Sequence, residues 1–327
     1  MREDILNLLK NTDDFISGQK ISDKLNVSRT SIWKYINGLK EEGYKIESVS
    51  RKGYKLISSP DVLTYEEIKD LLKTDYIGKK IFHYDTIDST NTRAKELVSK
   101  GEGEGTIVIS EEQTLGKGRL GRQWQSPKGK GIWMSIILKP DINPVDASKI
   151  TQIGAASVWE AISKIGLKPY IKWPNDIILN SKKVSGTLTE MSGELNQINY
   201  VVIGIGINVN AEAEDFSEEV KPIATSIKAV LGKKVSRKHL VADILNKFEV
   251  LYNDFLSSGS ISKSIEICRK GSKIIDKEVR LISRGTEEKV KVIDVTEDGE
   301  LLVKDVNGNI KKIISGEISV RGLEGYI

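Results

Sequence analysis

Residues 110–124 read SEEQTLGKGRLGRQW. Gly116, Gly118 and Gly121 are interleaved with Lys117, Arg119 and Arg122. Such a run has nothing apolar to bury except Leu120, and its cations repel one another. It is expected to stay mobile while empty. Its backbone N–H groups and guanidinium forks can converge on an anion. The run also satisfies G-x-G-x-x-G, which is weak by itself, because a dinucleotide fold needs a strand before the motif and a helix opening on it. GTIVIS at 105–110 supplies a strand. Beyond the run come Pro127, Gly129 and Gly131 and then the apolar stretch GIWMSIIL at 131–138, which reads as a second strand and not as a helix. No Lys-Ser or Lys-Thr stands at P-loop spacing. The run is an anion-gathering loop between two strands.

The 327 residues are enough for two or three domains. With 39% hydrophobic and 29% charged residues the chain has ample material for a core. A net charge of +4 does not by itself imply nucleic acid, so any basic surface has to be argued locally. Cys268 is the single cysteine, which rules out an internal disulfide and fits a reducing cytoplasm. The opening MREDILNLLK has no signal-peptide character, and no apolar run reaches the ~18 residues of a membrane span. His83 and His239 show no ligand spacing and read as packed or solvated residues.

The basic surface is local. Ile21 and Leu25 sit four apart on a short helix, and Ser28 caps a second helix whose Ile32, Ile36 and Leu39 share a face. Arg29, Thr30, Ser31 and Lys34 lie near its start on the other side, able to reach base edges and phosphates. Gly43 breaks that helix, and YKIESVSRKGYKLI alternates around a turn at Arg51, Lys52 and Gly53. This segment resembles a winged helix-turn-helix. Between residues 20 and 55, nine Lys or Arg face four Asp or Glu, which concentrates positive charge where a groove reader needs it. The expected DNA contacts are Arg29, Thr30, Ser31, Lys34, Arg51 and Lys52. After Pro60, Thr64 and Glu67 have capping-box spacing for a new helix.

Five motifs then occur in order: DSTN (88–91), EEQTLGKGRLGRQW (111–124), KWPND (172–176), KKVSGTLTE (182–190) and GIGINVN (204–210). Together they resemble the biotin–protein ligase family and, with the amino-terminal domain, its bifunctional type with ligase and biotin-operon repressor in one chain. The resemblance covers essentially the whole chain. It implies an α+β multidomain protein: a winged helix-turn-helix at 1–60, a central mixed α/β ligase domain at 64–270 related to class II synthetase-like folds, and an SH3-like β-barrel at 273–327. It also implies ATP and biotin as substrates, with Mg²⁺ accompanying ATP. Biotinyl-5'-AMP would form and pass to a lysine of a biotin carboxyl carrier protein.

The chemistry suits these residues. One anion must attack another, so cations have to neutralise the growing phosphoryl charge. The resemblance makes Arg119 the central clamp and Lys183 the contact to biotin's carboxyl and the activated phosphate. Asp176 would orient the incoming amine or a metal-bound phosphate. Lys117 stands where the family often has Arg. A lysine lacks the planar fork, so a backbone or point-charge role is expected. Biotin's neutral urea calls for neutral partners, and Ser89, Thr90, Asn91 and Gln113 match the family's biotin positions, with Lys117 and Gly118 completing that set. Ser89 or Thr90 can equally cap a helix carrying Ala94, Leu97 and Val98. Trp133 is a candidate apolar wall. Arg122, Trp124, Lys172, Asn175 and Asn208, with Arg119, are the expected nucleotide contacts.

Residues 216–268 read as mostly helical, with Leu240, Ile244, Phe248 and Leu251 on one face and Cys268 as a buried thiol. From Ile274 short alternating runs are separated by turns at 283–286, 297–299 and 307–308. Two other readings suit the residues less well. A pure DNA-binding regulator with a ligand-sensing domain has no need of Arg119 and Lys183 placed for adenylation. A lipoate–protein ligase has no need of urea-matching Ser, Thr, Asn and Gln. For regulation, biotinyl-AMP is expected to order the 116–122 loop and favour a homodimer whose winged domains span a palindromic operator.

Overall fold

Two serines punctuate the first unit of the chain, Met1–Val62; Leu63–Ile327 form the second. A computed structural model describes residues 1–194, 196–283, 286–315 and 318–322. Helix α1 (Arg2–Lys10) precedes α2 (Gly18–Leu25), which Ser17 caps by accepting from the Lys20 N–H at 3.1 Å. Asn26 turns the chain in the left-handed region, and Ser28 caps α3 (Arg29–Glu41) by accepting from the Ser31 N–H at 3.1 Å. Ile32, Ile36 and Leu39 are buried together with Ile5, Leu6, Leu9 and Ile21. Strands β1 (Lys45–Val49) and β2 (Gly53–Ser58) then pair antiparallel around residues 50–52. Helix, turn, helix and hairpin make the winged arrangement that the sequence suggested.

At the start of the second unit the structure departs from the sequence pattern. The capping box expected of Thr64 and Glu67 does not form, because α4 (Tyr65–Ile68) is a single turn without a side-chain cap. The Glu67 carboxylate pairs with Lys238 at 2.7 Å instead. Beyond it, β3 (Ile81–Ile87), α5 (Thr90–Ser99) and β4 (Ile107–Gln113) begin the sheet, with β3 and β4 parallel across the helix. β5 (Gly131–Leu138), α6 (Lys149–Lys164), β6 (Tyr170–Lys172), β7 (Asp176–Leu179), β8 (Lys182–Glu194) and β9 (Gln197–Asn208) complete it. The mixed sheet runs β3-β4-β5-β9-β8-β7-β6. Asn180 and Ser181 both have positive φ and form the tight turn between β7 and β8, so Lys182 already belongs to β8.

Strand alternation on β9 divides the domain into two faces. Val201, Ile203, Ile205 and Ile207 enter the main core, where α6 approaches closely: a Cβ on Gly154 would lie 2.7 Å from Ile203 Cδ1. Helices α7 (Ile227–Leu231), α8 (Arg237–Ser258) and α9 (Ser262–Gly271) come next, and Leu240, Ile244, Phe248, Leu251 and Cys268 join the same core. Val202 faces the other way, toward Ala94 and Leu97 of α5.

The remaining strands, β10 (Glu278–Ser283), β11 (Thr286–Val295), β12 (Leu301–Lys304), β13 (Ile310–Ile313) and β14 (Ser319–Gly322), form a second, antiparallel sheet ordered β13-β12-β11-β10-β14. Residues 297–299 and 307–308 turn as expected, whereas the expected 283–286 turn lies partly outside the described residues. Val279, Leu281, Val292 and Val303 continue the central core. The β11–β12 turn lies on the central domain: the Gly299 carbonyl accepts from Trp173 Nε1 at 2.8 Å and from Gln152 Nε2 at 3.3 Å. Trp173→Phe removes the stronger bond and leaves the carbonyl underpaired. It should cost about 1 kcal/mol, read as a lower urea midpoint with an unchanged slope.

Candidate active site

A cleft of about 400 Å³ opens on the α5 side of the sheet. Ser89, Thr90, Asn91, Gln113, Lys117, Gly118, Arg119, Arg122, Trp124, Lys172, Asn175, Asp176, Lys183 and Asn208 all line it. Apart from Trp133, the structure therefore gathers into one place every residue singled out in this unit for substrate contact or chemistry. Its floor is β9, where Gly204 and Gly206 present no side chain. A Cβ on Gly204 would fall 2.2 Å from Asn91 Oδ1, and one on Gly206 would fall 2.7 Å from Trp124 Nε1. The GIGIN motif puts isoleucines into the core and leaves room above the strand for those two side chains.

One end of the cleft is neutral and polar. Gln113 Oε1 accepts from the Thr90 N–H at 2.8 Å and from Thr90 Oγ1 at 3.1 Å, while Gln113 Nε2 donates to Ser126 Oγ at 2.8 Å. Ser135 Oγ lies 2.8 Å from Thr90 Oγ1 and 2.6 Å from Asn91 Oδ1. Asn91 Nδ2 donates to Glu190 at 2.7 Å, and Lys95 also reaches that carboxylate. Burial works against the Glu190 charge, but the hydrogen bonds from Lys95 and Asn91 prevail and lower its pKa. Ser89 occupies the N-cap position of α5 without a side-chain cap bond, and Thr90 turns to Gln113, so the capping alternative is not realised.

The other end is cationic. Lys183 is held at both backbone faces, by its place on β8 opposite Ile178 and by bonds from its N–H to the Ile223 carbonyl (2.7 Å) and from the Thr225 N–H to its carbonyl (2.9 Å). Its Nζ lies 2.6 Å from Asp176 Oδ1 and 5.2 Å from the centre of the Trp124 ring. Arg119 donates to Asn175 Oδ1 at 3.0 Å and to the Ile318 carbonyl at 3.3 Å. Asn175 is fixed in turn by donating to the Thr187 carbonyl at 2.8 Å. Asn208 Nδ2 donates to the Thr225 carbonyl at 3.1 Å, while its buried Oδ1 has no partner among the described residues. Lys172 is only 4% exposed. Burial lowers its pKa to about 7, with Arg321, Lys183 and Arg122 adding to the drop and Asp176 opposing it.

One expectation changes, that of Trp133, and the loop gains detail. The glycine-rich loop is not featureless: the Gly118 N–H donates to the Arg122 carbonyl at 2.7 Å and the Trp124 N–H to the Gly116 carbonyl at 2.8 Å. Gly116 is needed for close packing, since a Cβ there would meet the Trp124 carbonyl at 2.4 Å. Leu120, the one apolar residue offered for burial, is 53% exposed. Trp133 is fully buried and does not line the cleft; it supports Trp124 edge-on at 6.4 Å. Lys117 Nζ donates to Thr92 Oγ1 at 3.0 Å.

Sequence reading missed several lining residues. Thr187, Gly204 and Gly206 lay within quoted motifs, and their strand periodicity was the available signal. Phe216, Val220 and Ile223 come from a segment read only as packing, and Ile318, Ser319 and Arg321 from the far sheet. The residues expected to touch DNA lie in the first unit. There Arg29, Thr30, Lys34, Arg51 and Lys52 are exposed, whereas Ser31 is half-buried with its hydroxyl 2.9 Å from that of Ser28. Trp33 of α3, which sequence reading passed over, is 57% exposed.

Residues 1–55 match an HTH domain, 84–208 the Biotin/lipoate A/B protein ligase family and 274–321 the Biotin protein ligase C terminal domain. Fold and cleft thus define a biotin/lipoate-type protein ligase joined to a helix-turn-helix unit. The chain is 40% identical over 322 residues to the bifunctional ligase/repressor BirA of Bacillus subtilis, covering 98% of each. It is 29% identical over 329 residues to that of Escherichia coli, covering 98% of this chain and 97% of that one. It is similar to the solved biotin protein ligase from Aquifex aeolicus in complex with biotin and ATP, at 31% identity and a TM-score of 0.66, over 75% of this chain and 99% of that one. The chain belongs to the bifunctional ligase/repressor family of biotin protein ligases.

The geometry makes two outcomes measurable. Gly206→Ala should push Trp124 off the floor and weaken ATP binding about tenfold, within the usual range for overpacking, as measured by calorimetric titration with the fold checked by circular dichroism. Lys172 with a pKa of about 7 is only partly charged in the empty cleft near neutrality. A bound polyphosphate favours the charged form, so ATP binding should take up a proton around that pH and weaken as pH rises through it. Titrations in two buffers of different ionisation enthalpy would show the uptake, and Lys172→Met should abolish it.

Proposed function

We propose that this protein activates biotin with ATP to biotinyl-5'-AMP, transfers the biotinyl group to a lysine of a biotin carboxyl carrier protein, and represses biotin synthesis and transport genes under biotin control. The supporting observation is the polarity of a single cleft. A neutral hydrogen-bonding end built on Thr90, Asn91 and Gln113 suits a cyclic urea, and it adjoins a cationic end built on Arg119, Lys172 and Lys183 that suits a carboxylate and phosphates. In this reading the two ends would bring a carboxylate oxygen against the α-phosphorus. The new C–O–P linkage forms as the bond to the leaving pyrophosphate breaks.

In this reading Lys183 and Arg119 neutralise charge on the reacting carboxylate and phosphate. Ser89, Thr90, Asn91, Gln113, Lys117 and Gly118 form the biotin side. Arg122, Trp124, Lys172, Asn175 and Asn208 form the nucleotide side, with Asn208 Oδ1 available to an adenine amine. Asp176, beside Lys183, would take part in receiving the acceptor amine. Asp176 is the one carboxylate among the described lining residues, and no cluster of three or more acidic, histidine or cysteine groups suited to a metal occurs among the described residues. Mg²⁺ would therefore enter with the phosphates of ATP, and no step is assigned to it.

The same reading gives three domains, at 1–60, 64–270 and 273–327. The mixed sheet would be related to class II synthetase-like folds, and the second sheet would form an SH3-like barrel. Arg29, Thr30, Ser31, Lys34, Arg51 and Lys52 would meet operator DNA, joined by Trp33. Adenylate-driven tightening of the 116–122 loop would favour a homodimer on a palindromic operator, in the cytoplasm. No helix among the described residues is long and apolar enough to cross a membrane.

The test is biotin-dependent exchange of labelled pyrophosphate into ATP, with lipoate as control. Lys183→Ala should lower exchange by about 10²-fold or more, as loss of a charge-stabilising group does. Exchange with lipoate, or undiminished exchange in the variant, would remove the assignment.

A further inference from the structure

Glu111 takes no part in the chemistry above, yet it joins four segments. Its Oε1 accepts from the Leu63 N–H at 3.2 Å and lies 3.1 Å from His83 Nε2. Its Oε2 accepts from Arg237 Nη1 at 2.6 Å. Its backbone carbonyl accepts from the Gly129 N–H at 3.0 Å, and Arg237 reaches onward to the Gly131 carbonyl at 3.1 Å. Burial pushes the Glu111 carboxyl up, but His83 and Arg237 outweigh it and hold its pKa at about 2. The pair is thus ionised and almost wholly buried.

A buried ion pair is weak evidence for stability, because apolar side chains of the same volume often serve as well. What this one specifies is geometry. The glycine-rich loop leaves the sheet after Gln113 at the end of β4 and rejoins it at Gly131, so Glu111 and Arg237 together hold both limbs of its root. Gln113 lies two residues along β4, and its amide is shared between Thr90 and Ser126. A shift at the root therefore moves the amide that organises the neutral end of the cleft.

We propose that Glu111, through Arg237 and the loop root, is a positioning residue for biotin, setting the place of Gln113 without touching the substrate. The same carboxylate fixes Leu63, where the chain enters the ligase unit, so this entry point shares its anchor with the biotin end. The inference rests on the assignment of Gln113 to biotin, and the experiment separates the two.

Calorimetric titration of the full chain with biotin would compare wild type, Gln113→Ala, Glu111→Gln and Glu111→Asp. The last keeps the charge opposite Arg237 but shortens the arm, and it decides the question if the Gln variant does not fold. Outer residues that orient a ligand-binding group typically alter affinity about 10-fold or more. Gln113→Ala and the Glu111 variants should all weaken biotin by about that factor, and the Glu111 variants should keep kcat at saturating biotin within about twofold of wild type. A merely structural role would lower the active fraction, and hence kcat, and leave KM for biotin alone. Normal affinity in the Glu111 variants beside a weakened Gln113→Ala overturns the positioning role. Normal affinity in Gln113→Ala overturns the biotin assignment itself, and this inference with it.

Discussion

Joining a carboxylate to a nucleotide phosphate confronts like charges, and the cleft is arranged around that repulsion. Two unit charges 4 Å apart interact by about 4 kcal/mol at an effective dielectric of 20. Cations placed in advance therefore contribute several kcal/mol without reorganisation during the reaction. They also repel one another when the cleft is empty. Neutral partners hold part of the set in place: Arg119 on the Asn175 amide and the Ile318 carbonyl, Lys117 on the Thr92 hydroxyl. Lys183 has a close carboxylate partner, and that partner, Asp176, lines the same cleft. Lys172 meets the repulsion differently, by giving up part of its affinity for a proton.

This electrostatic arrangement depends on an uncharged floor. Gly204 and Gly206 let Asn91 and Trp124 lie directly on β9, and Trp124 brings an aromatic face to Lys183. The indole attracts the ammonium without neutralising it, so the charge stays available to a bound anion. Trp133 stands behind Trp124 in edge contact, which limits how far the first ring can move. The neutral and cationic ends thus meet above two glycines and one tryptophan.

Much of this was legible in the sequence because helix caps, strand alternation and motif order are local. Ser28 with Ile32, Ile36 and Leu39 pointed to α3, and GIWMSIIL to the strand that is β5. Failures came where a local rule met a distant competitor. Thr64 and Glu67 have capping-box spacing, but Lys238, remote in sequence, takes the carboxylate. Ser89 is a good cap by type, but the strands carrying Gln113 and Ser135 claim its neighbour Thr90. Trp133 looked like a ligand wall because periodicity shows that a strand residue is buried, not whether substrate or another indole covers it. The loop glycines suggested freedom. At Gly116 the real constraint is a carbonyl 2.4 Å from where a Cβ would stand.

The second sheet shows the same limit on a larger scale. Nothing in its alternating runs signals that Ile318, Ser319 and Arg321 reach a cleft built from residues more than ninety positions earlier. Its β11–β12 turn bonds Trp173, the residue before the Pro-Asn-Asp of KWPND, and the Ile318 carbonyl just before its β14 accepts from Arg119. Both contacts bear on the cationic end, one on the turn that carries Asn175 and Asp176, the other on the loop that carries the clamp. A stability module would need only the shared apolar core. These two polar contacts, aimed at the two segments whose relative position sets the charge geometry, make the second sheet part of the frame that holds the cationic groups of the cleft in register.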